Sequence, residues 1–172
     1  MRKILFCLAT VLLSAGSAAE KPERWTDPDK SYSCVLPKNW LFDHQAGPKA
    51  VFKEKKTPPA FLNVDAFQAG DLPAGATKDL DAFVKDRLEF LTVKAKDAKA
   101  CKVSGCEAVR ASGTVGASGG ALLDLLAFVR GPERWYAVML TCLPKDRAAY
   151  EPVFEAFLKS LEIPKAKEPA AP

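Results

Sequence analysis

The residues with chemistry to offer are few: four cysteines beyond residue 30, a single histidine, and two aspartates set in apolar runs. Cys34, Cys101, Cys106 and Cys142 make an even set, which in an oxidising compartment pairs as two disulfides with three connectivities open. Cys101 and Cys106 flank Lys102-Val103-Ser104-Gly105, a tight hairpin turn by composition. Residues facing each other across a hairpin have Cα atoms about 4.5–5.5 Å apart, inside disulfide range. The expectation is therefore a Cys101–Cys106 bridge and, by elimination, Cys34–Cys142. A structural zinc site shows paired C-x(2–4)-C spacings, and Cys101/Cys106 is the one pair that comes near; a thiol-exchange site needs C-x-x-C, which is absent.

His44 follows Trp40-Leu41-Phe42-Asp43 in a stretch that reads as a loop. As a general base it needs a nucleophile and an orienting acid. Asp43 is its one acidic neighbour, and adjacent residues seldom face each other, so His44 reads as an exposed loop residue. Asp65 and Asp124 interrupt strand-like runs; burial would raise such carboxyls into acid–base range. The simpler reading pairs them with a cation on a neighbouring strand, Arg110 or Arg134, or leaves them wet at an edge. Gly113, Gly116, Gly119 and Gly120 imitate a phosphate loop only in composition, because no helix and no Lys-Ser/Thr follow. They read as a mobile inter-strand loop, with Gly116 and Gly119 as candidate partner contacts. Trp25, in a polar arm, reads as an aromatic anchor, either onto this domain or onto a partner. No catalytic, cofactor or metal set emerges, so a non-enzymatic role is expected.

The elements that would hold these residues follow from periodicity. Ser31 to Leu36, Lys49 to Lys55 and Ala60 to Phe67 read as three strands, and the turn-rich Gln68 to Ala76 ends the pattern. Thr77 is the expected N-cap of a helix whose stripe is Leu80, Phe83, Val84, Leu88 and Leu91. Ala100 to Val103 and Cys106 to Val115 form a hairpin, and Gly116 to Gly120 is a turn. Ala121 to Arg130 is apolar on both faces apart from Asp124, the mark of a central strand covered on both sides. Arg134 to Leu143 is the last strand. Tyr150, Val153, Phe154, Phe157, Leu158 and Leu161 give the cleanest helical stripe, with Pro152 in the first turn. The fold expected is α+β: a mostly antiparallel sheet of about six to seven strands with an amphipathic helix on each face.

The first nineteen residues read as a secretory leader. Arg2 and Lys3 precede the apolar run Ile4 to Leu13, and Ser17 and Ala19 sit at −3 and −1 of a cut before Glu20. The run is shorter than the roughly 20 residues that cross a bilayer, so no stable membrane span is expected after cleavage. The leader carries two of the 25 basic residues and none of the 21 acidic ones, leaving the remainder at +2. So slight a balance excludes nucleic acid as a partner. Residues 20–30 form a polar arm, 31–163 a single domain, and 164–172 a low-complexity tail expected to stay disordered.

The run Tyr32-Ser33-Cys34-Val35-Leu36-Pro37-Lys38-Asn39-Trp40 resembles the opening strand of the PsbP-like superfamily. Val51-Phe52, Ser104-Gly105 before Ala108-Val109-Arg110, and the closing Tyr150-x-Pro-x-Phe helix are similar to that group as well. The resemblance implies an α/β/α sandwich and no catalytic residues. Members include an extrinsic photosystem subunit, an import factor that binds the GTPase Ran, and bacterial envelope proteins. It therefore implies an accessory protein, periplasmic or secreted, whose partner is another envelope protein. A carrier of a small apolar ligand and an envelope hydrolase are the rival readings.

Overall fold

The computed structural model describes residues 24–117 and 120–165. The leader, Gly119 and residues 166–172 lie outside the described residues. The strands are β1 (Arg24–Thr26), β2 (Ser33–Val35), β3 (Trp40–Ala46), β4 (Lys49–Glu54), β5 (Phe61–Phe67), β6 (Lys94–Val103), β7 (Cys106–Ala117), β8 (Gly120–Arg130) and β9 (Trp135–Cys142). The helices are α1 (Leu80–Phe90), between β5 and β6, and α2 (Arg147–Ser160), after β9. Seven strands form one antiparallel sheet in the order β3-β4-β5-β9-β8-β7-β6, while β1 and β2 pair as a separate ribbon.

The sheet has helices on both faces, as the two-sided apolar run of β8 requires. Alternation along β8 sends Leu123, Leu125, Ala127 and Val129 to one layer, where they meet Phe154, Phe157 and Leu158 of α2. Leu126 and Phe128 point the other way, to Phe83 of α1; the Phe83 and Phe128 rings meet edge to face at 6.1 Å. The β1–β2 ribbon lies on the α2 side. Trp25 packs there against Phe42, Tyr32 and Phe52, with ring centroids 5.5, 5.6 and 5.1 Å away.

In the arm, Arg24–Thr26 pairs with Ser33–Val35 and Trp25 closes the core beside β3. Several elements differ from the expectations. The stretch read as a loop around His44 is the edge strand β3. Asp79, not Thr77, caps α1, its carboxylate accepting from the Ala82 N–H at 2.8 Å. Helix α2 begins at Arg147, which puts Pro152 in its second turn, on the exposed side. Strand β6 begins at Lys94 instead of Ala100, and the β7–β8 ladder continues to Ala117 and Gly120. Gly116 is thus a paired strand residue opposite Ala121, not part of the turn.

Candidate functional site

The long C-terminal helix has two unlike flanks. Tyr150, Phe154, Phe157, Leu158 and Leu161 bury the central stripe, each worth about 1.5–3 kcal/mol relative to exposure. On one flank are Arg147, Glu151 and Glu155; Glu151 pairs with Arg147, and Glu155 with Arg110 of β7. On the other flank Val153, Ala156 and Ser160 face β2 and the loop after it. There Val35, Leu36 and Pro37 make the opposite wall, Phe157 lies between, and the open groove measures about 330 Å³. The Ser160 hydroxyl locks the two walls together, accepting from the Val35 N–H at 3.0 Å. Its lining is apolar apart from Ser160 and Lys38, and its volume reaches the lower end of ligand and peptide pockets.

A second, smaller cleft of about 130 Å³ opens at the N-terminal end of α2, lined by Pro58, Pro59, Phe61, Leu122, Leu143 and Cys142, among others. Lys56 and Tyr150 form its polar rim. The Lys56 ammonium lies 4.7 Å from the Tyr150 ring centre and 3.3 Å from Glu54, and the Tyr150 hydroxyl donates to the same carboxylate. Burial and the Glu54 bond push the Tyr150 hydroxyl above its ordinary value. This rim is self-neutralised, and the cleft can take little more than one apolar side chain.

The structure scatters the residues the sequence singled out. Cys34, Cys101, Cys106 and Cys142 are free thiols. The hairpin turn is Ser104-Gly105, both at positive φ (53° and 80°), so Cys106 faces Val103 and Cys101 faces Ala108. Cys101 and Cys106 thus stand in a diagonal relation across the hairpin, in which Cα atoms are about 7–8 Å apart. Cys34 lies beside the C-terminal end of α2, where its neighbour Val35 bonds to Ser160; Cys142 lines the cleft with Asp146 and Tyr150. Ten residues of helix separate those places, about 15 Å. Burial pushes the Cys34 thiol up to about 12 and Cys142 to about 11, so both are held neutral and poorly nucleophilic at pH 7.

His44 does have an orienting acid, contrary to expectation. A bulge between Phe42 and His44 turns consecutive side chains toward each other, so His44 Nδ1 lies 2.8 Å from the Asp43 carboxylate. Lys53 of β4 reaches the other Asp43 oxygen at 2.5 Å, and these two partners, Lys53 first, hold the Asp43 carboxyl below its ordinary value. Asp65 lies two strands away, directly opposite Lys49. Burial raises its carboxyl against the pull of Lys49 and Arg87. Asp124 is on β8, four residues along β9 from the level of Asp65, about 13 Å. The Thr141 hydroxyl donates to it at 2.7 Å, while burial raises its carboxyl. Neither Arg110 nor Arg134 serves these aspartates; they pair with Glu155 and Asp29. The three titratable groups therefore share no cleft. Trp25 is turned into the core, and Gly116 is exposed with open space around its Cα. The groove along α2 had no mark in the sequence, because its walls lie more than a hundred residues apart.

No family model and no curated protein matches the chain. Solved structures do. A protein of Bacteroides thetaiotaomicron VPI-5482 superposes with a TM-score of 0.62 at 13% identity, over 87% of this chain and 51% of that one, so this chain spans about half its length. Cyanobacterial PsbP (CyanoP) from Synechocystis sp. PCC 6803 gives 0.62 at 16% identity, covering 89% and 99% of the two chains. LpqN of Mycobacterium tuberculosis, described as involved in cell envelope biogenesis, gives 0.61 at 14% identity over 85% and 87%. At such identities the likeness concerns the backbone architecture alone. Two-sided helix cover, strand order and these superpositions together show that the chain has the PsbP-like fold.

Proposed function

We propose that the protein is an exported, non-catalytic accessory protein of a bacterial cell envelope, and that it holds another envelope protein in the apolar groove between β2 and α2. The groove carries the reading: about 330 Å³ of mostly apolar wall, left open on a helix whose opposite flank is closed by ion pairs. An open apolar recess beside a rigid helix suits a partner's aliphatic or aromatic anchor. LpqN's description as an envelope-biogenesis protein supports the compartment. The leader read from residues 1–19 supports export. A carrier role is the second reading, because the groove volume also admits a small apolar ligand; it differs in requiring lipid or another small molecule in the purified protein.

The test is a photo-crosslinking residue at Ala156, inside the groove, compared with one at Lys85 on the outer side of α1. The expected result is one discrete envelope partner captured from position 156, none from 85, and loss of that adduct on Val153→Glu. The same adducts from both positions, or none from either, overturn the proposal. A bound small molecule in native mass spectra, displaced by Val153→Glu, transfers the groove to the carrier reading.

A further inference from the structure

A second surface stands apart from the groove, on strand β6 at the far edge of the sheet. Lys94, Lys96 and Lys99 face Thr114, Ser112 and Arg110 of β7 in register. Those β7 residues in turn face Leu123, Leu125 and Ala127, the β8 residues of the α2 layer. All three lysines therefore project on the α2 side of the sheet. Strict alternation would send Lys99 to the opposite side from Lys96. A bulge between them, with Asp97 at φ 57°, inserts the extra residue that returns Lys99 to the shared side. Residues 94–100 are exposed throughout, and none of the three ammonium groups has an ion-pair partner among the described residues. Arg110, behind them, is already held by Glu155.

Lysine on an edge strand also discourages edge-to-edge aggregation. That duty needs no common side, and the bulge alone would serve it. Alignment of three unpaired cations demands a different account. The bulge breaks the outer backbone rail, so an acidic strand cannot pair along it. Neither of the two cavities described above is lined by a β6 residue. Long, unheld ammonium stems suit a diffuse anionic surface instead of a fixed point anion.

We propose that the rail formed by Lys94, Lys96 and Lys99 docks the protein on an anionic lipid bilayer surface. Each lysine near such a surface adds roughly five-fold to partitioning, so the rail is worth roughly a hundred-fold at low ionic strength. The inference is independent of the groove's occupant.

Co-sedimentation of the full exported chain with vesicles tests it, comparing phosphatidylcholine alone with an equal mixture of phosphatidylcholine and phosphatidylglycerol. Wild type is expected to bind only the mixed vesicles, and to release them as salt rises. The Lys94→Gln/Lys96→Gln/Lys99→Gln variant is expected to lose roughly a hundred-fold in partitioning. Lys94→Arg/Lys96→Arg/Lys99→Arg is expected to retain binding, and Lys78→Gln/Lys85→Gln/Lys102→Gln, which removes the same charge from the α1 side, to stay within a few-fold of wild type. Wild-type binding that ignores vesicle charge overturns the proposal without recourse to any variant. So does equal loss in the two glutamine variants, or retention on immobilised polyglutamate with none on vesicles, which would assign the rail to an acidic polypeptide.

Discussion

Asp124 shows how burial, not motif, sets the chemistry of single residues in this chain. The Thr141 hydroxyl donates a hydrogen bond to it, and burial raises the carboxyl above its ordinary 3.8. The folded state then holds the proton more tightly than the unfolded state. Its contribution to stability is fullest below about pH 3.8 and is lost as pH rises through the raised value. Asp124→Asn keeps an acceptor for Thr141 and removes the ionisation. Relative to wild type, the variant is expected to gain urea stability at pH 7 and to show no gain at pH 3; an equal difference at both pH values would contradict this. The existence of a carboxylate in an apolar strand was legible from the sequence, but its partner was not. Asp43 and His44 make the complementary point. The rule that neighbours in sequence face apart fails there because a bulge inserts a residue, and a bulge leaves no compositional mark.

Among the elements, those with one strong apolar stripe were readable and those defined by a neighbour were not. Helix α2 was visible because Tyr150, Phe154, Phe157, Leu158 and Leu161 all bury on one side. Before Cys101 strand β6 has no apolar residue larger than alanine, and it is a strand because β7 supplies its hydrogen bonds. Strand β3 was missed because its bulge breaks the alternation after Trp40 and Phe42. The α1–β6 junction is held by a close approach at Gly113, where an added Cβ would lie 2.2 Å from Val93 Cγ1 and 2.9 Å from the Lys94 carbonyl oxygen. Gly113→Ala is expected to cost about 1–3 kcal/mol in denaturant unfolding. Val93→Ala in the same chain should restore only part of that, because the backbone contact remains. Complete restoration would show that the side chain alone sets the limit.

At the scale of the whole molecule, β8 and β9 contribute side chains to both layers, so the two cores cannot melt apart. Phe83 anchors one layer and Phe154 the other, both fully buried. Phe83→Ala and Phe154→Ala are each expected to cost about 3–5 kcal/mol and to shift one common transition followed by circular dichroism and tryptophan fluorescence. Separate transitions for the two variants would show that the layers are independent. The sequence by itself determined an α+β architecture with a helix on each face of an antiparallel sheet. Local periodicity is written in side-chain order, and the two-sided apolar run of β8 admits no other cover. Only the tertiary structure decided the register of the cysteines, the seating of Trp25, the groove walled by Val35 and Val153, and the common side of the β6 lysines. Each of these depends on which distant backbone lies alongside, and a one-residue shift in pairing or a single bulge reverses it without altering the pattern of residue types.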